Sequence, residues 1–189
     1  MLDVALGFLV RELNSYLLLR TGQEFGSALA CRLVDDTGKT TIPQDRLAIS
    51  LIHLEEERVF RAQLPQTTLV NGVHVQQEPE LKLNVFVLLA AQFQQYDQAL
   101  KYLSLGLAFF QSHSVFTTEN APALDTSIGR LTAELQSLNF EQLNQIWAFV
   151  GGKQLPSALY KLRMLVLQDQ APSGLGPPIL TVNILGQRV

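Results

Sequence analysis

One stretch of this chain constrains its fold more than any other. Between Arg46 and Glu56, Leu47, Ile49 and Leu51 fall on one side of an extended chain, while Ala48, Ile52 and Leu54 fall on the other. A strand with two apolar faces has to be covered on both, so it belongs in the middle of a sheet with helices or loops above and below. Leu81 to Ala91 supplies a companion strand, with Leu81, Leu83, Val85, Val87 and Leu89 along one face. Two further main strands are expected. Arg130 to Leu138 alternates, Leu131, Ala133 and Leu135 inward against Thr132, Glu134 and Gln136 outward, the pattern of a half-exposed strand. Ala158 to Gln168 places Tyr160, Leu162, Met164 and Val166 on one face and Lys161 and Arg163 on the other. A shorter strand is expected from Ala28 to Val34, followed by a turn at Asp35-Asp36-Thr37-Gly38.

Helices are expected in three places. Leu2, Leu6, Leu9, Leu13 and Leu17 recur at helical spacing, and Gly22 is a natural stop. The same stretch carries Asp3, Arg11 and Glu12, which fit neither a signal peptide nor a membrane span. A second helix is expected over about Asp97–Gln111, capped by Asp97, with Leu100, Leu103, Leu107 and Phe110 as its core stripe. The third has the sharpest start. Asn139 and Gln142 have the spacing of a capping box, with Leu138 and Leu143 as its hydrophobic staple. Leu143, Ile146, Trp147 and Val150 then form the buried side, and Gly151-Gly152 ends the helix. Leu103, Phe110, Leu138, Leu143, Trp147 and Tyr160 are the expected core.

Two segments stand apart from this core. Thr68 to Val75 holds Asn71-Gly72 between β-formers, the strongest short signal for a hairpin, read here as an arm between two main strands. Gln170 to Pro178 contains three prolines and two glycines, a linker composition. Beyond it, Ile179 to Leu185 is apolar and β-prone, with Ile179, Val182 and Ile184 among the residues expected to add to a sheet edge. The expected organisation is therefore an α+β domain over residues 1–168. It holds a mixed or antiparallel sheet of about four main strands, flanking helices and the hairpin arm, and residues 169–189 form a linker and C-terminal β extension.

Composition narrows the function. Only 16% of the 189 residues are charged while 47% are hydrophobic, and a surface so poor in charge suits assembly better than life as a free monomer. The net charge of −3 argues against a nucleic-acid binder. A single cysteine, Cys31, excludes an intrachain disulfide and reads as a small filler within a strand. His53, His74 and His113 have no metal-ligand spacing, and no phosphate loop, dinucleotide fingerprint or nucleophile elbow is present. Glu55-Glu56-Glu57 at a strand end is the one acidic cluster, and Arg58 and Arg61 beside it make an ion-paired surface the better reading. The expectation is a protein that is not an enzyme and uses no cofactor or metal. Asn71, Gly72, Glu55, Glu56, Glu57, Arg58, Arg61, Ile179, Val182 and Ile184 are its candidate partner-binding residues. A small adaptor domain acting as monomer or dimer, with a concave apolar pocket, is the alternative, and a hydrolase built on Glu55 to Glu57 a weaker third.

Two runs go beyond periodicity. Tyr96-Asp97-Gln98-Ala99-Leu100-Lys101-Tyr102-Leu103 leads to Phe109-Phe110-Gln111, Val115-Phe116-Thr117, Asn120 and Pro122. Leu138-Asn139-Phe140-Glu141 leads to Trp147, Gly151-Gly152-Lys153, Leu155-Pro156-Ser157 and Leu159 to Met164. In order and spacing these resemble the terminal cap, or tail-terminator, family of contractile injection systems of the antifeeding-prophage and virulence-cassette type. The resemblance runs from Leu2 to Leu167 and leaves Gln170 to Val189 outside it. It implies a phage tail-terminator-like fold and a homo-oligomer, a hexameric ring at the baseplate-distal end of a phage tail-like particle. Such a ring ends the inner tube and holds the last sheath layer. It also implies sheath and inner-tube proteins as partners, no nucleic acid, no direct membrane span, assembly in the bacterial cytoplasm and a particle that can be released.

Overall fold

The computed structural model describes residues 1–22, 26–57, 66–70, 73–77, 81–151, 153–167 and 174–175, with residues 66–70, 73–77, 164–167 and 174–175 described by backbone alone. The chain divides into two units, Met1–Glu56 with Leu83–Leu165, and Glu57–Lys82 with Val166–Val189. The hairpin, expected as an arm of the main domain, thus groups with the C-terminal segment.

Nine strands run in chain order: β1 Ser27–Ala30, β2 Arg46–Glu56, β3 Gln66–Val70, β4 Val73–Gln77, β5 Leu81–Gln92, β6 Val115–Thr117, β7 Arg130–Gln136, β8 Ser157–Leu167 and β9 Gly174–Leu175. The first unit is built on six of them, in the order β1-β2-β5-β8-β7-β6. The four expected main strands are all present and occupy the centre, and two short strands close the edges. The sheet is mixed, since β1 runs parallel to β2 while β2–β5, β7–β8 and β6–β7 are antiparallel. The strand expected from Ala28 to Val34 ends at Ala30, so Cys31 lies just past it. A parallel neighbour requires a crossover, and residues 31–45 make it. Within it Asp35 forms the expected turn, its Oδ1 accepting from the Thr37 and Lys39 backbone N–H groups at 2.9 Å each.

β2 and β5 confirm the two-sided burial only in part. Leu47, Ala48, Ile49 and Ser50 are all buried, but Leu51 and Leu54 are exposed. A register shift between Leu51 and His53 bears on Leu54, whereas Leu51 lies before it and keeps its register opposite Val87. The bulge inserts one residue and reverses the alternation for the rest of the strand.

Helix α1, Leu2–Thr21, ends at Gly22, whose left-handed φ of 64° lets its N–H reach the Leu18 carbonyl. That conformation strains any residue with a Cβ. Helix α2, Tyr96–Ser112, covers the Leu47/Ile49/Leu89 face, but not with the stripe expected. Ala99, Tyr102, Gly106, Phe109 and Phe110 are buried, whereas Leu100 is exposed and Leu103 and Leu107 are half-buried. The reason is Gly106. A Cβ there would sit 2.8 Å from Leu89 Cδ2 and 3.2 Å from Leu47 Cδ2, so the bare backbone allows an approach that larger side chains forbid. Asp97 lies inside the first turn and makes no cap; the N-cap residue is Gln95. Aromatic edges seal this layer: Phe8 to Phe116 at 5.3 Å, Tyr16 to Phe109 at 5.5 Å, Phe110 to Tyr160 at 4.4 Å. Asn14 of α1 also clips β1, donating to the Ala28 carbonyl at 2.9 Å and accepting from its N–H at 2.7 Å.

Helix α3, Phe140–Val150, covers the opposite face and begins as the sequence predicts. Asn139 Oδ1 accepts from the Gln142 N–H at 2.8 Å, and Gln142 Oε1 accepts from the Asn139 N–H at 3.0 Å. Gly151, at φ 75°, ends it. Trp147 packs with Leu33, Ile42, Ala48, Leu88, Ala90 and Leu159, and Leu138, Leu143, Ile146 and Val150 border that cluster half-buried.

In the second unit, β3 and β4 pair antiparallel with Val70 opposite Val73. The expected hairpin is therefore formed, while Asn71 and Gly72 themselves lie outside the described residues. Within the segment read as a linker, Gly174–Leu175 is a strand, β9, antiparallel to β4 with Leu175 opposite Val75. Ile179, Val182 and Ile184 lie outside the described residues.

Candidate assembly interface

Glu55 and Glu56 close β2 opposite Asn84 and Leu83, and the Glu57 N–H donates to the Lys82 carbonyl at 2.8 Å. The three glutamates thus stand where the chain leaves for the hairpin and returns from it. Glu55 lies 3.9 Å from His53 Nε2, both exposed, an arrangement worth little in high dielectric. Arg58 and Arg61, proposed from sequence as their ionic partners, are outside the described residues. Among the described residues no three His, Cys, Asp or Glu side chains converge as metal ligands, and no helix is long and apolar enough to cross a membrane.

Apolar surface is the more distinctive feature. Leu135 was expected to face inward, and it does share the α2 side of the sheet with Leu131 and Ala133. Yet it is 56% exposed, and the C-terminal part of α2 stands beside it without covering it. What results is an open groove of about 540 Å³. Leu107 and Phe110 of α2 form one wall, and Leu135 of β7 and Tyr160 of β8 form the other. None of the described residues lining it is charged. Burial pushes the Tyr160 phenol up to about 12, so this wall stays neutral at any physiological pH.

A second apolar region surrounds α3. Phe140 and Phe149 are 92% and 86% exposed and flank the helix on either side of its buried stripe. Next to Phe140 a depression of about 500 Å³ runs past Leu143 and Trp147 to Gln154. A neighbouring one links Leu143 and Gln154 to Tyr96, Leu100 and Leu103. Sequence reasoning missed these residues as surface. The available signal was an excess: α3 carries Phe140 and Phe149 in addition to the four apolar positions that one buried side needs.

Other titrating groups are structural. The side-chain hydroxyl of Thr37 holds Asp35 below the ordinary carboxylate range, and Ser127 does the same for Asp125. Burial raises the Cys31 thiol, the opposite of what a nucleophile needs.

Comparison with known proteins adds a family and a fold to this geometry. The model of the Pvc16 N-terminal domain family matches residues 7–181. No curated protein matches the chain. Among solved structures, a sheath/tube terminator of an extracellular contractile injection system in its extended state is similar, with a TM-score of 0.62, 13% identity, and coverage of 96% of this chain and 63% of that one. The tube-terminating cap of the anti-feeding prophage is similar with a TM-score of 0.63, 17% identity, and coverage of 100% and 61%. The chain therefore spans less than two thirds of the length of these structural neighbours, and at such identity the likeness establishes the fold. With 175 consecutive residues under one family model, the chain belongs to the Pvc16 N-terminal domain family.

Proposed function

We propose that this chain is a structural cap of a contractile injection system. In this reading, copies close a ring of six at the baseplate-distal end of the particle, end growth of the inner tube and hold the last sheath layer. The single observation that carries it is the fold: nearly the whole chain superposes on two proteins that terminate tubes in such particles. The surface supports it. A closed ring needs heterologous contacts, a patch on one copy meeting a different patch on the next, and the groove beside Leu135 and the aromatics of α3 are such patches on different parts of the chain. The role is non-enzymatic, assembly takes place in the bacterial cytoplasm, and the protein leaves the cell only as part of a released particle. The hairpin carrying Asn71 and Gly72 and the glutamates at its root with Arg58 and Arg61 are the proposed contacts to sheath and tube, and the extension after residue 168 is a proposed contact to a neighbouring subunit or the sheath.

Deleting the gene from a particle-producing strain tests this. Tubes and sheaths of uncontrolled length and few intact particles are expected. Particles of normal length that contract normally would overturn the reading.

A further inference from the structure

The edge of β7 beside the apolar groove is unfinished. Ala133 donates its N–H to the Ser114 carbonyl at 2.8 Å, on the side where β6 lies. In an antiparallel strand, residues two apart aim their backbone groups the same way, so Leu135 aims its N–H and C=O at that side too. β6 pairs only with Arg130 to Thr132, and before Ser114 the chain rises into α2, which ends at Ser112. Among the described residues, no strand lies beside Leu135. An open backbone edge next to an uncharged apolar groove is the arrangement to which an extended segment adds as a strand, the backbone giving affinity and alternate side chains filling the groove.

The chain itself contains a segment of that chemistry. β9 ends at Leu175, and 14 residues lie beyond it. Gly176-Pro177-Pro178 comes first, then Ile179-Leu180-Thr181-Val182-Asn183-Ile184-Leu185. Leu180, Val182 and Ile184 alternate with Ile179, Thr181, Asn183 and Leu185, so as a strand this segment has one wholly apolar face and one mixed face. It carries no charge, matching the groove. Seven residues span ~23 Å as a strand, more than the open part of β7 requires. The segment cannot simply prolong β9, because two prolines lack the ladder donors. A Pro-Pro step also favours an extended chain.

We propose that Ile179–Leu185 of one copy adds to the β7 edge of a second copy, with Leu180, Val182 and Ile184 seated against Leu107, Phe110, Leu135 and Tyr160. This rests on the cap reading only for the premise that copies meet. Because the donor segment and the acceptor groove are different parts of the chain, the contact is head-to-tail and can close a ring.

Cross-linking of the purified full-length chain tests it. In a Cys31→Ser background, Leu135→Cys is mixed with Leu180→Cys, Val182→Cys or Ile184→Cys and treated with a short bis-maleimide. A covalent dimer is expected from at least one mixture. The matching double variant on one chain should give a ladder of dimers and higher species. Internally closed monomers alone would place the segment on its own subunit and overturn the proposal, as would no product from any of the three positions. Cross-links from Leu135→Cys to another protein of the particle, with none between copies, would overturn it equally. In parallel, Leu135→Asp should shift the elution of the chain towards monomer with its melting temperature unchanged. If particles lose length control on deletion of the gene while these cross-links fail, the cap reading stands and strand exchange is wrong.

Discussion

The two faces of the six-stranded sheet are covered to different depths. On one, α1 and α2 bring twenty and seventeen residues, and Phe8, Phe109, Leu47, Ile49, Leu89 and Leu131 are almost completely shielded. Ring meets ring there, and Gly106 lets a helix lie on the strands at close range. On the other, a helix of eleven residues and a crossover loop cover only part of the sheet. There Trp147 is the one helix residue that is fully withdrawn, and the apolar residues on its flanks stay in contact with solvent. The first face is arranged for stability. The second, together with the uncovered end of β7, gives up burial within the chain and keeps apolar surface for other chains. A free monomer loses by that arrangement; an assembling subunit regains it on contact.

Substitutions can break this comparison or sharpen it. The largest expected effect is on the closed face: Phe109→Ala, which removes the ring between Tyr16, Phe110 and Phe116, should cost about 4–5 kcal/mol in denaturant titration. Trp147→Ala removes a larger side chain but beside an open depression where neighbours can relax, and about 3 kcal/mol is expected. If the Trp147 loss equals or exceeds the Phe109 loss, the two faces are equally committed to stability and the comparison fails. Asn14→Ala ranks third. It leaves both backbone groups of Ala28 without their side-chain partner and should cost about 1–3 kcal/mol, again on the closed face. Phe149→Ser and Phe140→Ser should change the melting transition little, within about 0.5 kcal/mol, while reducing assembly measured by elution size. A clear loss of stability from either would mean that these rings belong to the core of the chain.

The smallest effect is seen in pH. The folded phenol of Tyr160 titrates at about 12, above its ordinary value of 10.0. The unfolded chain therefore releases this proton first as pH rises, and the stabilisation from Tyr160, complete below pH ~10, is lost as pH approaches ~12. Tyr160→Phe should flatten the decline in melting temperature over that window and leave the value at pH 7 nearly unchanged. Asp35 works in the opposite sense. Its folded carboxyl lies below the ordinary range, so its contribution holds above that range and disappears as pH falls through the folded value. The difference in melting temperature between the wild type and Asp35→Asn should shrink on acidification.

Local rules carried far in this chain. The capping box at Asn139, the stop at Gly22, the hairpin around Val70 and Val73, and the extent of β2 could all be read from neighbours a few residues apart. Each depends on backbone geometry that a short segment imposes on itself. The candidate interface was far less legible. Leu135 obeys the alternation of an inward residue and still meets solvent, because cover comes from elements distant in the chain. Leu100 and Leu103 follow a helical stripe as regular as the one actually buried, and only the missing side chain at Gly106 turns α2 onto its neighbouring row.

By itself, then, the sequence determined the four main strands, the hairpin and the three helices, and where most of them start and stop. Periodicity, capping and turn chemistry act over a few residues, and all of that information is local. Only the tertiary structure decided the order of the six strands, the bulge that shifts the alternation before Leu54, the pairing of Gly174–Leu175 with the hairpin, and the open edge at Leu135. These depend on which distant surfaces meet and how closely. Burial is a property of what covers a residue, and a linear pattern cannot say where the cover stops.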